Sequence, residues 1–157
     1  MKIQQSKFII ASSALFILLF VYTAVSKLVD PISFRIVLSK SPWIHDQASL
    51  LVWLIPVFEL MVSLLLLIPA LRLAGFIGSL LLMLAFTGYI TAMILYAPHL
   101  PCGCGGIIRQ LSWRQHLVVN SFFIVLAIVA IGLYLNISLF NKLFIAINRR
   151  SRKPVNE

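Results

Sequence analysis

Two thiols stand one residue apart in this chain. Cys102 and Cys104 are its only cysteines, and they flank Gly103 in the run Pro101-Cys102-Gly103-Cys104-Gly105-Gly106. A disulfide wants Cα atoms roughly 4.4–6.8 Å apart and a torsion near 90°. Residues separated by one position meet that demand only where the backbone between them bends, and glycine bends most freely. The spacing predicts a strained ring, easier to reduce than a structural bridge. It closes almost no loop entropy, so it is a poor staple. Three readings stay open: a dithiol exchanging with a thioredoxin-like partner, a metal or cluster site completed by His99 and His116, and a structural turn with incidental thiols. The metal reading is the weakest, because the spacing matches no strong zinc pattern. We assign no metal.

Five other residues are candidates to support thiol chemistry: Lys27, Glu59, Arg109, His116 and Asn120. Arg109 and a protonated His116 would favour a thiolate if near it. His116 and Asn120 are four apart and share a helix face. Glu59 is the only acidic residue deep in an apolar run, where a carboxylate is costly unless it faces the interior of a bundle. Its candidate partners are Lys27, Arg72 and the hydroxyls of the first run. Lys27 either snorkels to the interface or offers a positive charge to a thiolate or a quinone oxygen. His45 is a weak candidate for metal ligation.

The elements that carry these residues are membrane spans. The 157 residues are 61% hydrophobic and 11% charged, with a mean hydropathy of +1.04. Soluble domains carry about 25% charge. Four apolar runs approach or exceed the ~20 residues that cross a bilayer: about 8–28, 48–68, 73–96 and 116–135. The fold class is therefore all-α, a four-helix transmembrane bundle. A short interfacial helix or a re-entrant turn is expected at 32–42, and a tight turn at 69–72. Pro56 should bend the second span. Ala74, Gly78, Ala85, Gly88 and Ala92 form a small-residue face for close helix contact. Ser112 to Gln115 matches a capping box for the last helix. Residues 1–148 make one domain, and 149–157 a basic, disordered tail. The net charge of +9 flanks the spans, so it implies lipid head groups rather than nucleic acid.

Charge asymmetry predicts orientation. Lys2, Lys7, Arg72, Lys142, Arg149, Arg150, Arg152 and Lys153 fall on one side, eight against five (Lys27, Arg35, Lys40, Arg109 and Arg114) on the other. The positive-inside rule places both termini in the cytoplasm. The cysteines are then exoplasmic, on the oxidising face of a bacterial inner membrane.

The chain resembles the MauE/DoxX-like family of small four-span membrane proteins. The resemblance rests on Ala24-Val25-Ser26-Lys27-Leu28-Val29-Asp30, the short segment after it, the Pro101-Cys102-Gly103-Cys104-Gly105 run, Ser112-Trp113 and Asn120. It covers about residues 8–136 and is closest to the MauE branch. It implies a four-helix bundle and a role in exoplasmic thiol handling with a thioredoxin-like partner, as in methylamine dehydrogenase maturation. The DoxX side implies a link to quinone-coupled sulfur oxidation. The chain departs from disulfide formers of the DsbB and vitamin K epoxide reductase kind, having no Cys-x-x-Cys and no second loop pair. Gly105-Gly106 also stands where MauE-like loops often carry Phe-Gly.

With no third cysteine, electrons reaching Cys102 and Cys104 must leave through another protein or a lipid-soluble acceptor such as quinone. The leading expectation is a membrane thiol–disulfide redox protein. The alternative is a non-enzymatic anchor or assembly subunit, with a membrane partner or a second copy as its contact.

Overall fold

In the structure, a computed structural model, residues 2–41, 43–96 and 113–151 are described, with side chains described for 3–41, 43–96 and 114–136. The elements are α1 (Lys2–Val29), α2 (Pro31–Ser39), α3 (Ala48–Leu67), a 3-10 turn (Pro69–Leu71), α4 (Arg72–Tyr96) and α5 (Trp113–Ser151). Four of the helices are long and apolar enough to cross a membrane. The protein is a multi-pass, all-α membrane protein with a short helix after its first span.

The break between α1 and α2 follows from two adjacent residues. Pro31 disfavours helical backbone at Asp30, and α1 stops at Val29. Asp30 then caps α2: its Oδ1 accepts from the Ser33 backbone N–H at 3.1 Å. Pro31 sits at the first helical position, where its missing N–H is harmless. Phe34, Val37 and Leu38 lie one helical turn apart and are the buried residues of α2. They seat the helix on the start of α3, where Phe34 and Leu38 cluster with Ala48 and Val52. Of the two forms expected for 32–42, a helix or a re-entrant turn, the segment takes the helix. α3 runs unbroken through the buried Pro56.

The four long helices form a ring in which α1 and α4 each pack against both α3 and α5. At one end the ring is filled. Phe16 of α1 meets Phe76 of α4 edge-on at 6.1 Å and Phe123 of α5 at 5.2 Å. Ala127 and Ala130 of α5 and Leu66 of α3 complete that core. Gly75 and Gly78 let α3 approach α4. A Cβ on Gly75 would stand 2.8 Å from the Leu66 side chain and 2.9 Å from its backbone nitrogen, and one on Gly78 would stand 2.9 Å from Val62. Among the described residues the small-residue face of α4 is thus a packing device at Gly78 but not at Gly88, where a Cβ would meet nothing within 4 Å. Gly75, which lies off that predicted face, makes the closest approach. The turn at this end is tied twice: Arg72 Nε donates to the Leu66 carbonyl at 3.2 Å, and Tyr134 of α5 donates to the Pro69 carbonyl at 3.3 Å.

The last helix does not stop near residue 135. It continues to Ser151, so part of the tail expected to be disordered is helical. No glycine or proline interrupts residues 133–151, and basic residues near a helix C-terminus complement its dipole. Trp43, expected as an interface anchor, packs edge-on against Tyr96 at 5.9 Å.

Candidate functional site

At the other end of the ring the helices part around a cavity of about 420 Å³. α1 from Leu19 to Lys27, α3 from Leu51 to Glu59, α4 from Leu82 to Ile90 and the first turns of α5 wall it, and Phe34, Val37 and Leu38 of α2 join the lining. The walls are mostly apolar. Their polar members are Thr23, Lys27, Glu59, Tyr89, His116 and Asn120.

An ion pair is the centre of this polar set. Lys27 Nζ donates to Glu59 Oε1 at 2.6 Å and to the Thr23 carbonyl one turn back at 3.4 Å. The side chains are 14% and 1% exposed. Lys27 therefore turns inward and does not snorkel to the interface. Its ammonium also lies 5.6 Å from the centre of the Phe34 ring and 5.4 Å from that of Phe86, within reach of cation–π attraction. The Thr23 hydroxyl is 3.1 Å from Glu59 Oε1 and 3.2 Å from the Phe20 carbonyl. Its single proton is shared between two acceptors. Glu59 Oε2 is buried and accepts no hydrogen bond among the described residues. The acid is set one turn before Ser63, whose hydroxyl donates to the Glu59 carbonyl at 2.9 Å.

Four of the residues singled out from the sequence thus line one cavity: Lys27, Glu59, His116 and Asn120. Of the two cations considered for Glu59, Lys27 is the partner, and a first-span hydroxyl joins it. Cys102, Cys104, Arg109 and His99 lie outside the described residues, as does Ser112 of the capping box. The sequence offers Tyr89 only as a residue that could line a pocket, with no specific signal, and gives no functional signal for Phe34 and Phe86. Their positions on the cavity come from packing, which no local pattern reports. His45 and Asp46 pair with each other at 2.9 Å on the surface, and no cluster among the described residues could hold a metal ion.

The MauE family, described as methylamine utilisation protein MauE, matches residues 5–134. The chain belongs to this family. The match takes in nearly the whole of the four spans, α2 and every cavity residue named above. No curated protein and no solved structure matches the chain significantly. The MauE match agrees with a redox-associated, multi-pass membrane protein of the MauE/DoxX kind.

Proposed function

We propose that the chain is a membrane thiol–disulfide redox protein. Its Cys102-Gly103-Cys104 pair exchanges electrons on the exoplasmic side with a thioredoxin-like partner or a quinone, in support of periplasmic disulfide formation or protein maturation. The observation that carries this reading is the gathering of polar groups at one end of the bundle. The stretch bearing both cysteines connects the C-terminal end of α4 to the N-terminal end of α5. Those are the helix ends that contribute Tyr89, His116 and Asn120 to the cavity. Membership of the MauE family points the same way.

The reaction balances simply. Two thiols give one disulfide, two protons and two electrons. A thioredoxin-like disulfide accepts them as two thiols, and a quinone accepts them as a quinol. The reverse direction uses the same pair. Exchange of the detergent-solubilised protein with a thioredoxin-like protein should be fast, and C102S or C104S should abolish it. Full biological function in the double-serine variant would overturn the reading in favour of an assembly subunit.

Orientation is checked separately. A membrane-impermeant maleimide added to intact, reduced cells stripped of their outer membrane should label Cys102 and Cys104. Labelling that needs permeabilisation of the inner membrane would reverse the proposed topology.

A further inference from the structure

We infer that the cavity is the binding site of a membrane-soluble quinol–quinone couple, held by its ring oxygen between Lys27 and Glu59, with the hydroxyl form preferred. The inference rests on the preceding reading for the use such a ligand would serve. The binding itself needs no thiol.

The polar end of the cavity is incomplete in a specific way. An ammonium has three protons to donate, and Lys27 places two on Glu59 Oε1 and the Thr23 carbonyl. Glu59 Oε2 is buried without a hydrogen bond among the described residues. A buried carboxylate oxygen left so is a costly arrangement. Among the described residues one donor and one acceptor remain on the same ion pair, and they match a single hydroxyl group, which accepts with its oxygen and donates its proton.

The rest of the cavity describes what carries that hydroxyl. Phe34, Phe58, Phe86 and Tyr89 line it, and aromatic walls favour a ring by edge and face contacts. Its volume of about 420 Å³ falls within the ~300–1,000 Å³ of small-molecule sites. The surrounding helices are built to sit in lipid, so the source of the ligand is the bilayer. A fatty acid fits poorly, because its carboxylate would put a second negative charge beside Glu59. An aliphatic alcohol satisfies the ion pair but not the ring walls. A quinone offers a carbonyl, which accepts from Lys27 but gives nothing to Oε2. The quinol does both.

Glu59→Gln tests this directly. Lys27 can only donate, so the amide oxygen must face it and the NH₂ replaces Oε2. The site then presents a donor where it had an acceptor. Binding of decylubiquinol and decylubiquinone to the full chain in detergent, followed by quenching of its tryptophan fluorescence, is the readout. The wild type should prefer the quinol. E59Q should weaken quinol binding roughly tenfold or more, as expected for loss of a hydrogen bond to a charged group, and spare the quinone. Ala85→Phe, which fills the cavity from a small wall residue, should weaken both. The double-serine cysteine variant should bind as the wild type does, so failure of thiol exchange and failure of this site are separable. Dodecanol or lauric acid displacing the probe at similar concentration would overturn the ring-bearing ligand. Equal quinol binding in the wild type, E59Q and A85F, each confirmed folded by its thermal transition, would overturn the site.

Discussion

Lys27→Met is expected to be among the most damaging single substitutions outside the filled core. It leaves the Glu59 carboxylate, 1% exposed, with a threonine hydroxyl as its only remaining hydrogen-bond donor among the described residues. Removing one partner of a buried pair costs about 3–5 kcal/mol, because the other charge stays behind without compensation. The low polarity of the surroundings works in the same direction. Replacing both partners, as in Lys27→Met with Glu59→Leu, should recover much of the loss, since a buried pair often contributes little beyond an apolar isostere. Unfolding in detergent, followed by helix signal across this double-mutant cycle, measures the coupling. A coupling near zero would mean that the pair does not join α1 to α3 in the folded protein.

The second large effect concerns glycine. Gly75→Ala places a methyl 2.8 Å from the Leu66 side chain and 2.9 Å from its backbone nitrogen. A side chain can turn aside, but a backbone nitrogen cannot without moving α3. Overpacking of this kind costs about 1–3 kcal/mol. Gly78→Ala comes closest to the Val62 side chain, at 2.9 Å from Cγ2, and should cost less, though valine has little rotamer freedom in a helix. Gly88→Ala meets nothing within 4 Å among the described residues and should be neutral or gain up to ~1 kcal/mol of helix propensity. The order of thermal stability should therefore be G88A, then G78A, then G75A. A G75A protein as stable as G88A would contradict the close packing of α3 on α4.

Hydropathy made the four spans legible, because it reports which residues lipid tolerates. It said less about where the helices end. Lys2 and Lys7 flank the apolar run of α1, yet the backbone is helical from Lys2. α5 likewise runs past its apolar stretch to Ser151. A helix leaves the bilayer without unwinding when nothing in its sequence breaks it. Glu59 announced itself by being costly where it stands. Its partner did not, because choosing between Lys27 and Arg72 requires knowing which end of α3 faces which helix. Small residues on α4 showed that a neighbour could come close, but not where: Gly88 lies on the predicted face and a Cβ there meets no described residue within 4 Å, while Gly75 lies off it and has the nearest. The cavity is the least legible feature. It is a space between five helices, and no residue pattern within any one of them encodes it.

The Lys27–Glu59 pair has an electrical consequence. A transmembrane voltage acts on net charge, at about 2.3 kcal/mol per elementary charge per 100 mV. An ammonium and a carboxylate held 2.6 Å apart carry strong local fields and no net charge. An uncharged molecule can therefore meet a full charge at each of two atoms while the site as a whole stays blind to the membrane potential. Occupancy by a neutral ligand would be the same in an energised and a de-energised membrane, so a protein built this way could keep working while the cell's energy state changes around it.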